Sequence, residues 1–359
     1  CDGFYAILIP KVTKPVRFFL QPTGFNTRNG IYFMHKFLHT ISLFLACTGL
    51  VLGGCGKSSE TAQRQTEARS DSLKILTIGT VGKAISLVIG DADSSIKINI
   101  SASTGSSGNV HSLQDGSIDL GLVSGDIAFS AVNGTGEFKD HEFKDLKVIA
   151  ALYPSLSNWM ARDDSGIFYV HDLKGNRLGV GPQDSTTELA AKVSLGTLGI
   201  TDQNSTFVNC GLGSGAVKNR TLDAIHGFTG VPISGLAKLA DAVPCHLLKY
   251  TDSELRSIIR SNPFYYMDKI PSGTYKGQDE DIATFGIKAL LCVRADLDED
   301  LVYEITSILY ENRDRLKDLH PALSYTAQSG FMFNDLPIEL HAGAERFYKE
   351  KGLLEEHSR

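Results

Sequence analysis

Residues 73–123 contain three short apolar stretches, LKILTIGT (73–80), IKINIS (96–101) and LGLV (120–123), with helix-like segments between them. The first stretch ends in a small-residue turn, the second alternates apolar and polar residues, and the third is uniformly apolar. Short runs of these kinds are typical of β-strands. The order strand, helix, strand, helix, strand predicts a parallel sheet with helices on its faces.

A second series of the same kind follows, and the chain then returns to a long apolar strand. Further strands are predicted at 146–153, 158–162, 176–180, 206–210, 224–228, 246–248 and 283–294. Helices are predicted at 185–198, 299–315 and 342–351, the last two from their amphipathic pattern. One αβ set, a second αβ set and a return to the first together indicate two lobes.

The predicted fold class is therefore α/β, of the two-lobed periplasmic-binding-protein-like type. Each lobe is expected to be a mostly parallel sheet flanked by helices. We assign residues 73–152 and 275–356 to lobe I and residues 153–274 to lobe II. Ligands of such folds bind outside the carboxyl ends of parallel strands, so the ligand cleft is expected between the lobes.

The N-terminal region has the pattern of an export signal. Met34 is the first methionine, a short basic start follows it, and residues 37–52 carry almost no charge. This run ends in LGGC (52–55), which resembles a lipobox, where the Cys55 thiol would accept a diacylglycerol. An ordinary signal peptide with a chance cysteine is the alternative.

These features divide the N-terminal region into three predicted segments. Residues 1–33 are expected to lie upstream of the true start, and residues 34–54 to form a lipoprotein signal peptide. Residues 55–72 are polar and are expected to be a flexible tether. The expected location is the periplasmic side of the cell envelope, with the lipid anchor as the contact to the membrane.

Composition excludes several classes of protein. Hydrophobic residues make up 42% and charged residues 21% of the chain, its net charge is −6 and its mean hydropathy is −0.05. This is a globular profile, with no basic footprint for nucleic acid. The sequence contains no Gly-x-Ser-x-Gly motif, metal-spaced histidine pair or phosphate loop. We therefore expect a protein that is not an enzyme and that has neither a metal site nor a cofactor.

Several segments, in order, resemble the TAXI family of TRAP-transporter solute-binding proteins. They include DGSIDLGLV (115–123), GDIAF (125–129), IPSGTYKGQDED (270–281) and LHAGAERFY (340–348). The resemblance extends over about residues 73–352. It implies a receptor that closes its lobes around a small organic anion and delivers it to a TRAP membrane permease. It also implies a dicarboxylate or amino acid ligand, such as glutamate or 2-oxoglutarate.

In lobe I, candidate binding residues follow the second predicted strand. Thr104, Gly105 and Ser107 precede a helix, where free backbone N–H groups and hydroxyls suit an anion. A plain N-cap and turn is the alternative. Asp126 is a candidate for orienting donors or binding an ammonium group, with a helix N-cap as its alternative.

In lobe II, Ser185, Thr186 and Thr187 occupy the equivalent place at the start of a helix, which suits a carboxylate. The alternative is a capping box formed by Ser185 and Glu188.

The remaining candidates depend on position in the resembling family. Tyr153 lies near the lobe crossover, while Gly230 and Pro232 form a Gly-x-Pro turn. Thr80 ends the first predicted strand, but the family's longer loop at this point is missing here. A vestigial surface lipoprotein is therefore an alternative function. A non-transport ligand-sensing lipoprotein is a separate alternative.

Overall fold

The sheet is organised around two long strands that pass through its whole length. The computed structural model describes residues 72–76, 80–101 and 105–354, which all fall within the compact unit Glu67–Arg359. The strands are β1 (Ser72–Leu76), β2 (Lys97–Ser101), β3 (Leu120–Ser124), β4 (Leu146–Arg162), β5 (Arg177–Gly181), β6 (Thr206–Asn209), β7 (Ala224–Thr229), β8 (Cys245–Leu247), β9 (Tyr266–Ile270) and β10 (Ile282–Arg294). The α-helices are α1 (Thr80–Ala92), α2 (Ser106–Gln114), α3 (Gly125–Asn133), α4 (Thr186–Thr197), α5 (Ser234–Ala242), α6 (Asp252–Ser261), α7 (Glu299–Glu311), α8 (Arg313–Leu319) and α9 (Ala342–Glu350).

The strand order is β2-β1-β3-β10-β4-β7-β5-β6, with β8 paired to β4 and β9 paired to β10. Strands β1, β2 and β3 are parallel to one another, and so are β5, β6 and β7. We call these the first half and the second half of the sheet. The long strands β4 and β10 are antiparallel to each other and run through both halves.

Helices cover both faces of the first half. The α1 side chains Ala84, Ile85, Val88 and Ile89 are buried against one face, together with residues of α7 and α9. Their spacing puts them on a single side of the helix. Helices α2 and α3 bury Val110 and other apolar side chains against the opposite face.

The second half likewise has a core on each face. Within β4, Trp159 and Ala161 pack on the side of α4 and α6, whereas Leu156 and Met160 pack on the side of α5. This is the period of two that a strand buried on both faces requires. Tyr275, which precedes β10, packs in the second of these clusters.

The predicted α/β class, with a central sheet flanked by helices, is confirmed, but two predicted strands are joined into one and one predicted helix is divided. The first predicted strand, 73–80, ends at Leu76, because Thr80 already belongs to α1. The separately predicted strands 146–153 and 158–162 form one strand, β4, which continues through Pro154. Pro154 pairs with Lys288 of β10, while β7 begins to pair only at Leu156. Proline is therefore tolerated, because this stretch of β4 has one strand neighbour. The predicted helix 299–315 is divided at Asn312 into α7 and α8.

The predictions for residues 1–33, for the signal peptide 34–54 and for Cys55 lie outside the described residues, as does the tether apart from Ser72. Among the helices in the described ranges, none has the length and apolar composition needed to cross a membrane. The assignment of residues to two lobes stays a prediction.

Candidate functional site

The carboxyl ends of the two parallel halves face each other across the middle of the sheet. Strand β3 ends at Ser124, which lies opposite Ala289 of β10, and Ala289 lies opposite Tyr153 of β4. Strand β7 runs in the opposite direction and ends at Thr229, opposite Leu156 of β4. The two ends are thus three residues apart along β4, or about 10 Å. This is the switch point at which open α/β sheets bind ligands.

In the first half, hydrogen bonds tie the start of α2 to the end of β3. The Ser124 N–H donates to Ser106 Oγ at 3.0 Å, and Asn109 Nδ2 donates to the Leu122 carbonyl at 2.7 Å. Gly105 precedes α2 at φ 108°, a conformation that favours glycine. Among the described residues, no side chain caps the N-terminus of α2. Its first turn therefore keeps backbone donors at the switch point.

One of the other predicted residues around this turn is less available than the sequence suggested. The Ser107 hydroxyl donates to the carboxylate of Glu137, so its proton is already engaged. Thr80 is the first residue of α1, which starts directly at this position. Thr104 lies outside the described residues.

Asp126, in the first turn of α3, is buried at 9% exposure. Its Oδ1 accepts hydrogen bonds from Ser124 Oγ at 2.7 Å and from the Ile127 N–H at 2.8 Å. Burial raises the pKa of the Asp126 carboxyl, and these hydrogen bonds offset part of the rise. Asp126 itself does not act as the N-cap, because Ser124 occupies that position.

In the second half, Ser185 caps α4. Its Oγ accepts a hydrogen bond from the Glu188 N–H at 3.2 Å and donates one to the Pro182 carbonyl at 2.6 Å. The second hydrogen bond of the predicted capping box differs by one residue. The Glu188 carboxylate accepts from the N–H of Asp184, which precedes the cap, at 2.6 Å. The hydroxyl proton of Ser185 is therefore used within the protein.

Thr186 and Thr187 follow the cap, and neither hydroxyl has a hydrogen-bond partner among the described side chains and backbone. A Cβ on Gly181 would lie 2.7 Å from Thr187 Cγ2. Glycine at the end of β5 thus permits the first turn of α4 to approach the strand closely. Of the three predicted residues, these two threonines keep hydroxyls that are not engaged by the described residues.

Replacing Ser185 by alanine should lower the free energy of unfolding by about 1 kcal/mol, because the first turn of α4 loses its cap. Urea denaturation followed by circular dichroism measures this change. The matched control is Ser257→Ala within α6, where the hydroxyl bonds back to the Ser253 carbonyl and contributes little. Equal effects of the two substitutions would argue against the cap.

Three buried side chains, His226, Ser157 and Tyr250, form a hydrogen-bonded relay that contacts the first turn of α4. The sequence did not indicate this relay. His226 Nδ1 lies 3.1 Å from the Thr187 carbonyl, and its Nε2 lies 2.9 Å from Ser157 Oγ. Ser157 Oγ is also 2.9 Å from the Tyr250 hydroxyl. Because a carbonyl only accepts, Nδ1 carries the proton, and Nε2 accepts from Ser157. The relay fixes the helix start beside the switch point.

Tyr153 and Gly230 meet where the halves join. A Cβ on Gly230 would lie 2.9 Å from Tyr153 Cδ2 and 2.7 Å from Ala322 Cβ, so glycine is needed for this approach. Burial raises the pKa of Tyr153 to about 12, and the Thr229 hydroxyl counteracts part of that rise. Pro232 follows a cis peptide bond and lines a cavity of about 300 Å³ together with Thr274 and Tyr325.

Aromatic side chains connect the two halves across the switch point. The ring of Phe129 on α3 lies 4.7 Å from that of Phe264, which precedes β9. The next residue, Tyr265, packs on Phe285 at 4.8 Å between ring centroids. Sequence reasoning missed Phe264 and Tyr265, because they belong to a loop without periodic pattern.

A larger groove, of about 780 Å³, opens elsewhere on the second half and contains none of the predicted binding residues. Some of its ionisable side chains are paired with one another. Lys249 forms an ion pair with Glu280 at 2.7 Å, and His246 Nδ1 lies 3.0 Å from Asp163 Oδ1. Its position away from the strand ends separates it from the candidate site.

Comparison with known proteins identifies similar folds. A model of the NMT1-like family matches residues 79–352. The structure of PhnD1 from Prochlorococcus marinus in complex with methylphosphonate is similar, with a TM-score of 0.50 and 12% identity over 79% of this chain and 100% of that one. It shares the α/β fold described above.

Two further solved structures are similar at lower TM-scores. The periplasmic aliphatic sulphonate binding protein SsuA from Escherichia coli has a TM-score of 0.42 and 15% identity, over 78% of this chain and 83% of that one. The substrate binding protein of an amino acid ABC transporter has a TM-score of 0.44 and 15% identity, over 69% of this chain and 97% of that one.

Proposed function

The chain belongs to the NMT1-like family, and from this premise we propose that it is an extracytoplasmic solute receptor that delivers a small organic anion to a membrane permease. The observation that carries the proposal is the convergence of strand ends at the switch point. The starts of α2, α3 and α4 lie at these ends, so their backbone donors and positive dipole ends suit a carboxylate or another oxyanion.

We propose that binding involves those predicted residues that lie near these strand ends. The Gly105 turn, Thr186 and Thr187 would contact the ligand anion directly. Tyr153 and Gly230 would position the two halves, because they pack at the junction. Ser185 and Ser107 would act through the turns that they stabilise.

An enzymatic function is disfavoured by the burial of Ser157 and His226, a nucleophile–base pair among the described residues at this site. Ser157 Oγ and His226 Nε2 have the separation of such a pair, 2.9 Å. Yet Ser157 is 2% exposed and His226 is 0% exposed, so a substrate does not reach them. Burial also lowers the pKa of His226 to about 3, which makes it a poor base at neutral pH.

For the permease, we propose the TRAP type, on the basis of the TAXI-like segments. The lipid anchor at Cys55 belongs to the same proposal. An ABC-type permease is the alternative, in keeping with the amino acid ABC transporter protein that is similar in structure. Uptake by cells expressing the chain with each permease type distinguishes the two, since ABC uptake requires ATP hydrolysis and TRAP uptake requires an ion gradient.

A thermal-shift screen should find a stabilising anion. Dicarboxylates, amino acids and phosphonates form the panel, and a ligand at 100 times its Kd should add about 2.7 kcal/mol to the free energy of unfolding. Thr186→Val should reduce the shift, because it removes a hydroxyl at the ligand end of α4. Thr197→Val, exposed at the other end of the same helix, is the matched control.

The absence of any shift across the panel would contradict the receptor function and favour the vestigial lipoprotein. Binding without uptake by either permease would instead favour a ligand-sensing role.

A further inference from the structure

The groove of about 780 Å³ on the second half combines an apolar base with two exposed aromatic side chains. The buried side chains Met160, Leu247 and Ile282 contribute the apolar base. Among the other lining residues, Phe168 is 53% exposed and Tyr169 is 40% exposed. A concave, largely apolar space of this size is typical of sites for small molecules.

Hydrogen bonds hold the turn that carries the two exposed rings. Asp172 Oδ2 accepts from the N–H of Phe168 at 3.1 Å and from the N–H of Tyr169 at 2.9 Å. The Phe168 carbonyl accepts from the Lys249 N–H at 3.0 Å. The rings are thus presented on an ordered backbone, so a ligand that contacts them does not have to order the turn.

The Phe168 ring is covered on one face only. It stacks on His246 with 5.1 Å between the ring centroids and an interplanar angle of 20°. The imidazole is itself fixed, because its Nε2 lies 2.7 Å from the Ile167 carbonyl oxygen and its Nδ1 lies 3.0 Å from Asp163 Oδ1. The opposite face of Phe168 is therefore the exposed one, and the face of an aromatic ring attracts cations.

Carboxylates outnumber lysines around the groove. The lining carboxylates are Asp163, Asp241, Asp279 and Glu280, and the lining lysines are Lys249 and Lys276. One of these lysines already forms an ion pair with Glu280. Among the described residues, Asp241, Asp279 and Lys276 form no ion pair. Helix α5 ends at Ala242 in the same wall, and the negative end of its dipole adds to the field. The groove therefore favours positive charge.

We propose that this groove is a second binding site, which takes an organic cation with an apolar surface, such as an alkylated ammonium compound. The open face of Phe168 receives the charged group, the carboxylates balance its charge, and the apolar base contacts its carbon atoms. An anion would be repelled by the carboxylates. The groove contains none of the residues proposed for the strand-end site, so this proposal does not depend on the receptor function.

The test is calorimetric titration of the full chain with choline and with its neutral isostere, which has a tert-butyl group in place of the trimethylammonium group. The two compounds share their shape and differ in charge. Choline should bind about 10-fold more tightly than the isostere, as expected for a partly exposed cation on an aromatic face.

Phe168→Leu removes the aromatic face and keeps an apolar side chain. It should weaken choline about 5-fold and leave the melting temperature nearly unchanged, because the side chain is exposed. Phe168→Tyr keeps the face and should retain the affinity. Asp279→Asn should weaken choline about 2-fold, the size of an exposed charge contact. Its matched control is Asp318→Asn, an exposed carboxylate in α8, which should have no effect.

Three results would overturn the proposal. Equal affinity for choline and its isostere would remove the role of charge, and no measurable binding of choline would remove the site itself. Unchanged choline affinity in Phe168→Leu would exclude the aromatic face. Thr186→Val, at the strand-end site, should leave choline binding intact. Loss of choline binding in that variant would assign choline to the strand ends instead of the groove.

Discussion

Acidification from pH 7 to pH 4.5 should lower the free energy of unfolding by about 3 kcal/mol through His226 alone. Burial lowers the pKa of this imidazole to about 3 in the folded protein, whereas in the unfolded chain it returns to the ordinary value of about 6.5. Between these two values the unfolded state binds the proton and the folded state does not. The stabilisation is therefore complete above pH 6.5 and is lost as the pH falls towards 3.

The relay explains why protonation is so unfavourable. A proton on His226 Nε2 would face the hydroxyl proton of Ser157, and Ser157 would have to reverse its bonds to both His226 and Tyr250. The charge would also lie in the core, where no carboxylate hydrogen-bonds to the ring.

Urea denaturation over a series of pH values measures this decrease in the free energy of unfolding. His226→Gln should be less stable at pH 7 but should show a smaller fall in stability per pH unit. The control is His141→Gln, at an exposed position, which should keep the dependence of the original protein. If His226→Gln keeps that dependence as well, the acid sensitivity arises elsewhere.

Replacement of Gly343 by alanine should destabilise the protein by about 3 kcal/mol, since it would overpack a contact between two helix starts. A Cβ at this position would lie 2.2 Å from the Glu299 carbonyl oxygen and 2.8 Å from the Tyr303 nitrogen. Both are backbone atoms of α7, so relief requires α9 to move as a whole. Thermal and urea denaturation measure the decrease in the free energy of unfolding.

Gly196→Ala in α4 is the matched control. Nothing lies within 4 Å of a Cβ at Gly196, so alanine should stabilise that helix by about 0.5–1 kcal/mol. Intrinsic propensity favours alanine at both sites, and a difference in sign between the two variants therefore reports packing. Stabilisation by Gly343→Ala would show that α9 does not approach α7 this closely.

The sequence was sufficient for features whose causes are local. The alternation of residues 96–101 predicted β2, and the start of α4 at Ser185 was visible because a cap and its N–H donor are three residues apart. The continuity of β4 through Pro154 was not visible. It depends on where β7 begins to pair, which is a property of a strand far away in the chain.

The candidate site shows the same difference between features with local causes and features that depend on distant residues. Asp126 was predicted as a polar residue at a helix start, but its burial and its hydrogen bonds with Ser124 Oγ and the Ile127 N–H appear only in the folded chain. His226 gave no signal, because its partners Ser157 and Thr187 are distant in sequence. Helix caps and strand periods can be predicted from residues adjacent in the sequence. Buried polar networks cannot, because folding brings their members together from distant positions.

We expect the pairing of the long strands β4 and β10 to influence the order in which the chain folds. The second half is almost continuous in sequence between them, whereas the first half is assembled from two separate segments. Ala151 of β4 pairs with Leu290 of β10 only after the whole intervening region has been brought into a loop. Because loop closure is costly and non-local pairing is slow, the second half should form first. Strands β1, β2 and β3 can complete their sheet only when β10 pairs with β3. Until β10 has been synthesised, the edge of β3 remains unpaired and can form non-native contacts with other strands.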